Sequence, residues 1–165
     1  MRRRIAMFLC VSLLICMVVG CGSPKEPGRY YDKTKGFSIK FPEGWTKTKS
    51  AFGVTVTFTD PEGRVKLGVQ YQKIASGKTF EELIKVMRSF MQQQGFKIIE
   101  ESETVIDGVD GYWFGELQGT NAISYYIVMN GQDSYAIMAT YDKDSTDENM
   151  EEVIEASVAT FKFLK

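Results

Sequence analysis

Histidine is absent from this 165-residue chain. The commonest general base and the commonest transition-metal ligand are therefore missing together, and an ordinary Ser–His–Asp triad has no central member. Cysteine is nearly as scarce: Cys10, Cys16 and Cys21 are the only three. Residues 22–165 hold no thiol, which excludes a disulfide or a thiolate metal site within them. A long hydrophobic run is lacking too. The longest apolar stretch, Ile5–Val19, has 15 residues, short of the ~20 that an α-helix needs to cross a bilayer. Nor is there a basic excess. The 20 Lys+Arg stand against 21 Asp+Glu, so the concentrated positive charge of a nucleic-acid binder is missing.

What is present begins with an address. Arg2, Arg3 and Arg4 precede the apolar stretch and small Gly20 closes it, the layout of an export signal. Cys21 follows at once, with the one side chain here nucleophilic enough to be alkylated by a diacylglyceryl donor. Val18-Val19-Gly20-Cys21 resembles the lipobox of bacterial lipoproteins. That resemblance implies cleavage before Cys21 and lipidation of its sulphur. It also implies attachment to the outer face of the plasma membrane, or to the outer membrane facing the periplasm in a two-membrane cell. The plainer reading, an incidental cysteine behind an ordinary signal peptide, leaves the order of leader, small residue and cysteine unexplained. Gly22 stands where an Asp often retains lipoproteins in an inner membrane; a one-membrane host fits equally well.

The expected organisation is a signal peptide over 1–20, a lipidated cysteine and flexible tether over 21–29, and one domain over 30–165. Removing Arg2, Arg3 and Arg4 leaves 17 Lys+Arg against 21 Asp+Glu, a charge of about −4 on a chain long enough to bury its own core. The polar segment Gly22–Gly28 reaches at most ~25 Å when stretched, so the domain works close to its membrane.

Period-two alternation predicts strands at Phe37–Phe41, Val54–Thr59 and Val65–Tyr71, the last two joined as a hairpin by Asp60-Pro61-Glu62-Gly63. Thr79 and Glu82 form a capping-box signature. Behind them Phe80, Leu83, Ile84, Met87, Phe90 and Met91 share a helical face that Gly95 ends. Further strands are expected near 96–106, 112–119, 122–130 and 134–141, with breaks at Asp107-Gly108, Asp110-Gly111, Gly119-Thr120-Asn121 and Asn130-Gly131. A second helix is expected to start near Ser145–Glu148, burying Met150, Val153, Ile154, Ser157 or Val158, and Phe161. Phe161-Lys162-Phe163 reads as a terminal β segment. Hairpin-linked strands interrupted by single one-sided helices imply an α+β domain on a mainly antiparallel sheet, each helix lying on a sheet face.

The entry of that domain, Gly36-Phe37, the alternating strand and Pro42-Glu43-Gly44-Trp45, resembles the opening of PsbP-like proteins. The closing Thr160-Phe161-Lys162-Phe163 resembles the family's end. The resemblance implies a three-layer α/β/α sandwich with a central antiparallel sheet, in a non-catalytic protein of extracytoplasmic or lumenal surfaces. Photosynthetic members bind a membrane complex and help it hold inorganic cofactors. That role is not carried over, since the family's metal-binding histidines have no counterpart here.

The candidate sites are few. Asp142–Glu148 mimics a calcium loop, but Asp147 stands where an EF-hand needs Gly and Val153 where it needs Glu. Carboxylates at a helix N-terminus explain it better. Glu100, Glu101 and Glu103 read as a solvated sheet edge, with Glu101 and Glu103 on one face and Glu100 on the other. Lys33, Lys35, Lys40, Lys47 and Lys49 crowd the opening strand; solubilising charge is the favoured reading, and a lean towards anionic lipid head groups the alternative. The aromatics carry more. Most serve packing, but Tyr112-Trp113 and Tyr125-Tyr126 place one ring on each face of the sheet. With Tyr31 and Trp45 they form the candidate binding patch wherever a helix leaves a face open. No catalytic residue, cofactor or metal is assigned. The sequence points to a membrane-surface protein-binding or assembly module with a protein partner, or alternatively a small-molecule carrier with an aromatic-lined pocket.

Overall fold

The computed structural model describes residues 26–50, 53–144 and 149–164. The leader, Cys21 and the expected helix start at 145–148 lie outside the described residues. Among the described residues ten strands and two helices follow in order: β1 (Arg29–Asp32), β2 (Phe37–Lys40), β3 (Thr46–Thr48), β4 (Val54–Thr59), β5 (Val65–Lys73), α1 (Phe80–Gln93), β6 (Lys97–Ile106), β7 (Val109–Gln118), β8 (Asn121–Asn130), β9 (Asp133–Asp142), α2 (Met150–Val158) and β10 (Lys162–Phe163).

Seven strands pair antiparallel in the order β3-β4-β5-β9-β8-β7-β6. Alternation explains which face each side chain takes. In β5, Val65, Leu67 and Val69 are fully buried. They register with Tyr141, Ala139 and Ile137 of β9, all buried on the same face. The central strands thereby present a continuous apolar floor, whose burial supplies most of the favourable energy of such a layer.

Helix α1 covers the opposite face. Its capping box is formed: Thr79 Oγ1 accepts from the Glu82 amide at 3.2 Å and Glu82 Oε2 accepts from the Thr79 amide at 3.2 Å. Ile84 and Met91, with Phe80, Leu83 and Met87 beside them, pack on Phe114 and Ile127. Phe90, expected on that face, is 54% exposed. At 3.6 residues per turn it falls on the margin of the stripe, beyond the reach of the sheet.

The third layer combines α2 with a small antiparallel sheet, β1-β2-β10. Phe37 of β2 stacks on Phe161 at 5.8 Å and meets Tyr135 of β9 edge-on at 5.8 Å. Ile154, Val158 and Phe161 close the same core. The α/β/α sandwich is thus as expected, with the small sheet added to the α2 layer.

The hairpin turns follow their residue types, with one correction. Asp107 and Gly108 both have positive φ, 51° and 77°, the two-residue turn that suits strand twist. Asp107 then accepts hydrogen bonds from Lys162 Nζ at 2.6 Å and the Phe163 amide at 2.9 Å, pinning β10. Asp110-Gly111, expected as a break, lies inside β7. A Cβ on Gly111 would stand 2.8 Å from the carbonyl oxygen of Ile127. This glycine serves close strand approach rather than a turn.

Candidate functional site

The β7–β8 pair sets the geometry of the aromatic residues. Tyr112, Phe114 and Glu116 alternate onto the α1 face, while Trp113 takes the α2 face. Register places Trp113 opposite Tyr126, and Tyr125 opposite Phe114.

On the α1 face the rings are occupied. Arg88 of α1 reaches Glu101 at 2.8 Å, with its guanidinium carbon 6.0 Å from the Tyr112 ring centre and 5.8 Å from that of Phe114. Cation–ring contacts of this kind hold the tyrosine against the helix. A cavity of about 520 Å³ opens beside it, between the first turns of α1 and β6–β7, walled by Phe80, Ile84, Val105 and Tyr112.

On the α2 face, Trp113 and Tyr126 meet with ring centres 6.2 Å apart. Among the described residues the nine-residue α2 does not cover the β6–β7 end of this face, and a cavity of about 350 Å³ lies there. Trp113 and Tyr126 line it with Glu100, Glu103, Glu151 and Glu155. The indole N–H of Trp113 is buried with no hydrogen-bond partner among the described residues. Burial, with the charges of Glu155 and Glu151 beside it, pushes the Tyr126 hydroxyl up to about 12.

The expected patch is therefore divided between surfaces. Trp113 and Tyr126 come together on one face, and Tyr112 and Tyr125 lie on the other against the α1 core. Tyr31 sits on β1 opposite Ser38. Trp45 packs against the core behind the small sheet. Of the lysines near the opening strand, Lys47 lies 5.1 Å over the Tyr30 ring and Lys35 lies 4.7 Å over that of Tyr71. These two at least are tied to rings rather than standing free.

Sequence reasoning did not single out Glu116. Its residue is 1% exposed, neither carboxylate oxygen has a partner among the described residues, and burial pushes its carboxyl up to about 7. The phase it shares with Tyr112 and Phe114 is the signal that would have found it. Among the described residues no group of three or more acidic side chains is placed to hold a metal ion, and no helix is long and apolar enough to cross a membrane.

No family model matches the chain, and no curated protein matches it. Solved structures do. The solution structure of cyanobacterial PsbP (CyanoP) from Synechocystis sp. PCC 6803 is similar at TM-score 0.68 and 18% identity, over 88% of this chain and 98% of that one. A crystal structure from Bacteroides thetaiotaomicron VPI-5482 is similar at TM-score 0.56 and 17% identity. The match covers 84% of this chain, which spans about half, 48%, of the Bacteroides protein. A Pseudomonas aeruginosa protein of unknown function follows at TM-score 0.50 and 10% identity, over 78% of this chain and 91% of that one. At these identities the likeness is one of architecture: the chain has a PsbP-like fold.

Proposed function

We propose that the protein is a membrane-anchored extracytoplasmic lipoprotein whose domain is a non-catalytic protein-binding or assembly module at the membrane surface. The observation that carries this reading is the distance along the chain from Cys21 to the first ion-paired residue among the described ones. That residue is Glu26, whose carboxylate pairs with Arg29 at 2.6 Å and Lys40 at 3.5 Å. Five residues span at most about 18 Å, so a lipid on Cys21 holds the domain within a few nanometres of the bilayer.

The side-chain chemistry supports binding over turnover. Without histidine, buried Ser38 and Ser124 have no ordinary base to activate them. The likeness to CyanoP supports an accessory role. Lengthening residues 22–28 by a flexible insert tests the reading. Proteins recovered with it from membranes should change, and recovery indifferent to insertion or deletion would contradict it.

A second reading, a small-molecule carrier, is favoured by one observation: ring-lined cavities of about 350 and 520 Å³ open on the two faces of the sheet, within the usual range for ligand sites. A thermal-shift screen with metabolites tests it. A reproducible rise in Tm supports a carrier, and a flat panel counts against one.

A further inference from the structure

Charge is spread unevenly along the chain. Residues 26–50 carry Arg29, Lys33, Lys35, Lys40, Lys47 and Lys49 against Glu26, Asp32 and Glu43, whereas residues 51–165 carry ten Lys+Arg against 18 Asp+Glu. Folding turns that imbalance into two sides. β3 is one edge of the seven-stranded sheet and β6 is the other. β1 is an outer strand of the small sheet, and it lies beside the β3 edge: the Tyr30 ring meets that of Phe58 in β4 at 6.2 Å, and the Lys47 amine stands 5.1 Å over it. Lys33, Lys40, Lys47 and Lys49 are exposed there. Glu26 is paired within the cluster, with Arg29 and Lys40. Lys33, Lys35, Lys47 and Lys49 make no ion pair among the described residues, and the rings beneath Lys35 and Lys47 hold those amines without neutralising them. Asp32 and Glu43 are left against four lysines. The far edge has the opposite sign: β6 carries Glu100, Glu101 and Glu103 against Lys97.

We infer that the β1–β3 edge is a lipid-facing surface, on which these lysines meet the phosphates of anionic phospholipids while β6 points away from the bilayer. The inference rests on the anchored reading and deepens it by naming the side that faces the membrane. Solubilising charge accounts for exposed lysines but not for their gathering where the tether enters. The chain from Cys21 reaches Glu26 in five residues, at most about 18 Å, and β1 opens at Arg29. An anchor therefore delivers this edge to the surface first. With translation already restricted by the lipid, weak charge contacts suffice to choose an orientation. The overall negative charge does not oppose them. Seven strands spaced about 4.8 Å apart set the two edges about 29 Å from each other, about three screening lengths at 0.1 M salt. A protein partner fits this edge less well. Among the described residues the exposed large apolar side chains are Val86, Phe90, Ile99 and Val105, all on α1 or β6, so the lysines surround no apolar anchor for it.

The test uses the mature protein taken from membranes and placed in lipid nanodiscs that carry a nitroxide on some head groups. One set contains phosphatidylglycerol and the other phosphatidylcholine alone. Paramagnetic broadening of backbone amides reads distance from the lipid surface. In the anionic discs the amides of Lys33, Lys47 and Lys49 should broaden severalfold more than those of Glu101 and Glu103. Phosphatidylcholine discs should bring the two groups to similar values. So should salt raised from about 0.1 to about 1 M, which shortens the screening length from about 10 to about 3 Å. Lys33, Lys47 and Lys49 are exposed, so their joint substitution Lys33→Gln, Lys47→Gln and Lys49→Gln should keep the fold and lose the preference. Lys78→Gln with Lys85→Gln and Lys97→Gln removes the same charge from other exposed positions and should retain it. Equal broadening of both edges in anionic discs, β6 as the nearer edge, or a preference indifferent to salt or to the first triple variant would overturn the inference. Absence of a preferred edge, with the same lysines cross-linking to a protein in native membranes, would assign the edge to a partner and overturn it too. The intact mass of the same sample reads the anchor separately. An unmodified Cys21 defeats the anchored reading and the orientation with it; a lipidated Cys21 with no preferred edge defeats the orientation alone.

Discussion

The phenol of Tyr135 donates a 2.6 Å hydrogen bond to the backbone carbonyl of Lys35, 100 residues away. Tyr135 belongs to the large sheet and Lys35 to the turn between β1 and β2, so this bond fastens the small sheet to the core. The Tyr135 ring also meets Phe37, Phe161 and Phe163 within 5.4 to 5.8 Å. Tyr135→Phe keeps those contacts and removes only the bond. It should lower unfolding stability by about 1 kcal/mol, read as a lower urea midpoint at unchanged slope. Tyr135→Ala also loses the packing and should cost about 3–5 kcal/mol. Equal losses from the two variants would show that the ring contacts contribute nothing.

Glu116 makes stability depend on pH in a stated direction. Its carboxyl rises from the ordinary 4.5 to about 7 on folding. Between those values the folded chain keeps a proton that the unfolded chain has released. Stability therefore falls as pH rises from about 4.5 to about 7 and is level above that. The contribution is on the order of 3 kcal/mol. Glu116→Gln should remove this part of the slope, seen by subtracting the two stability profiles. Parallel profiles would mean that Glu116 has found a partner or water.

Gly111 and Gly115 separate backbone from side-chain crowding on one strand. The Cβ of Gly111→Ala meets the Ile127 carbonyl oxygen at 2.8 Å, and backbone cannot swing aside. A loss of about 1–3 kcal/mol is expected. The Cβ of Gly115→Ala meets the Trp113 ring at 3.1 and 3.2 Å, a side chain facing a cavity. A smaller loss and a shifted Trp113 emission should follow. An unshifted emission would place the ring elsewhere.

Thr79→Ala removes one half of the α1 capping box. Loss of about 1 kcal/mol is expected, with faster amide exchange at Glu82 than at Met91. Uniform protection across α1 would contradict a role confined to the first turn.

These elements differ in how far the sequence disclosed them. The alternation of β5 and the Thr79–Glu82 box are local patterns, and they folded as read, whereas in β4 a register shift between Val54 and Val56 interrupts the expected alternation. β1 escaped notice because Arg29, Tyr30, Tyr31 and Asp32 are all half-buried and show no alternation. β3 is Thr46-Lys47-Thr48, a three-residue edge strand with too little apolar content to stand out. Asp110-Gly111 carries the composition of a turn, and only the approach of Ile127 reveals its use. The facing of adjacent rings in Tyr112-Trp113 and Tyr125-Tyr126 followed from pleating alone. Which pair α1 covers, and which α2 leaves beside a cavity, depends on where each helix lies across the sheet.

The anchor is decided by the intact mass of the mature protein taken from membranes, with its N-terminal fragment sequenced. The expected species begins at Cys21 and carries a diacylglyceryl group on the sulphur. An unmodified Cys21, or a mature chain beginning at another residue, would contradict a lipoprotein held at the membrane surface.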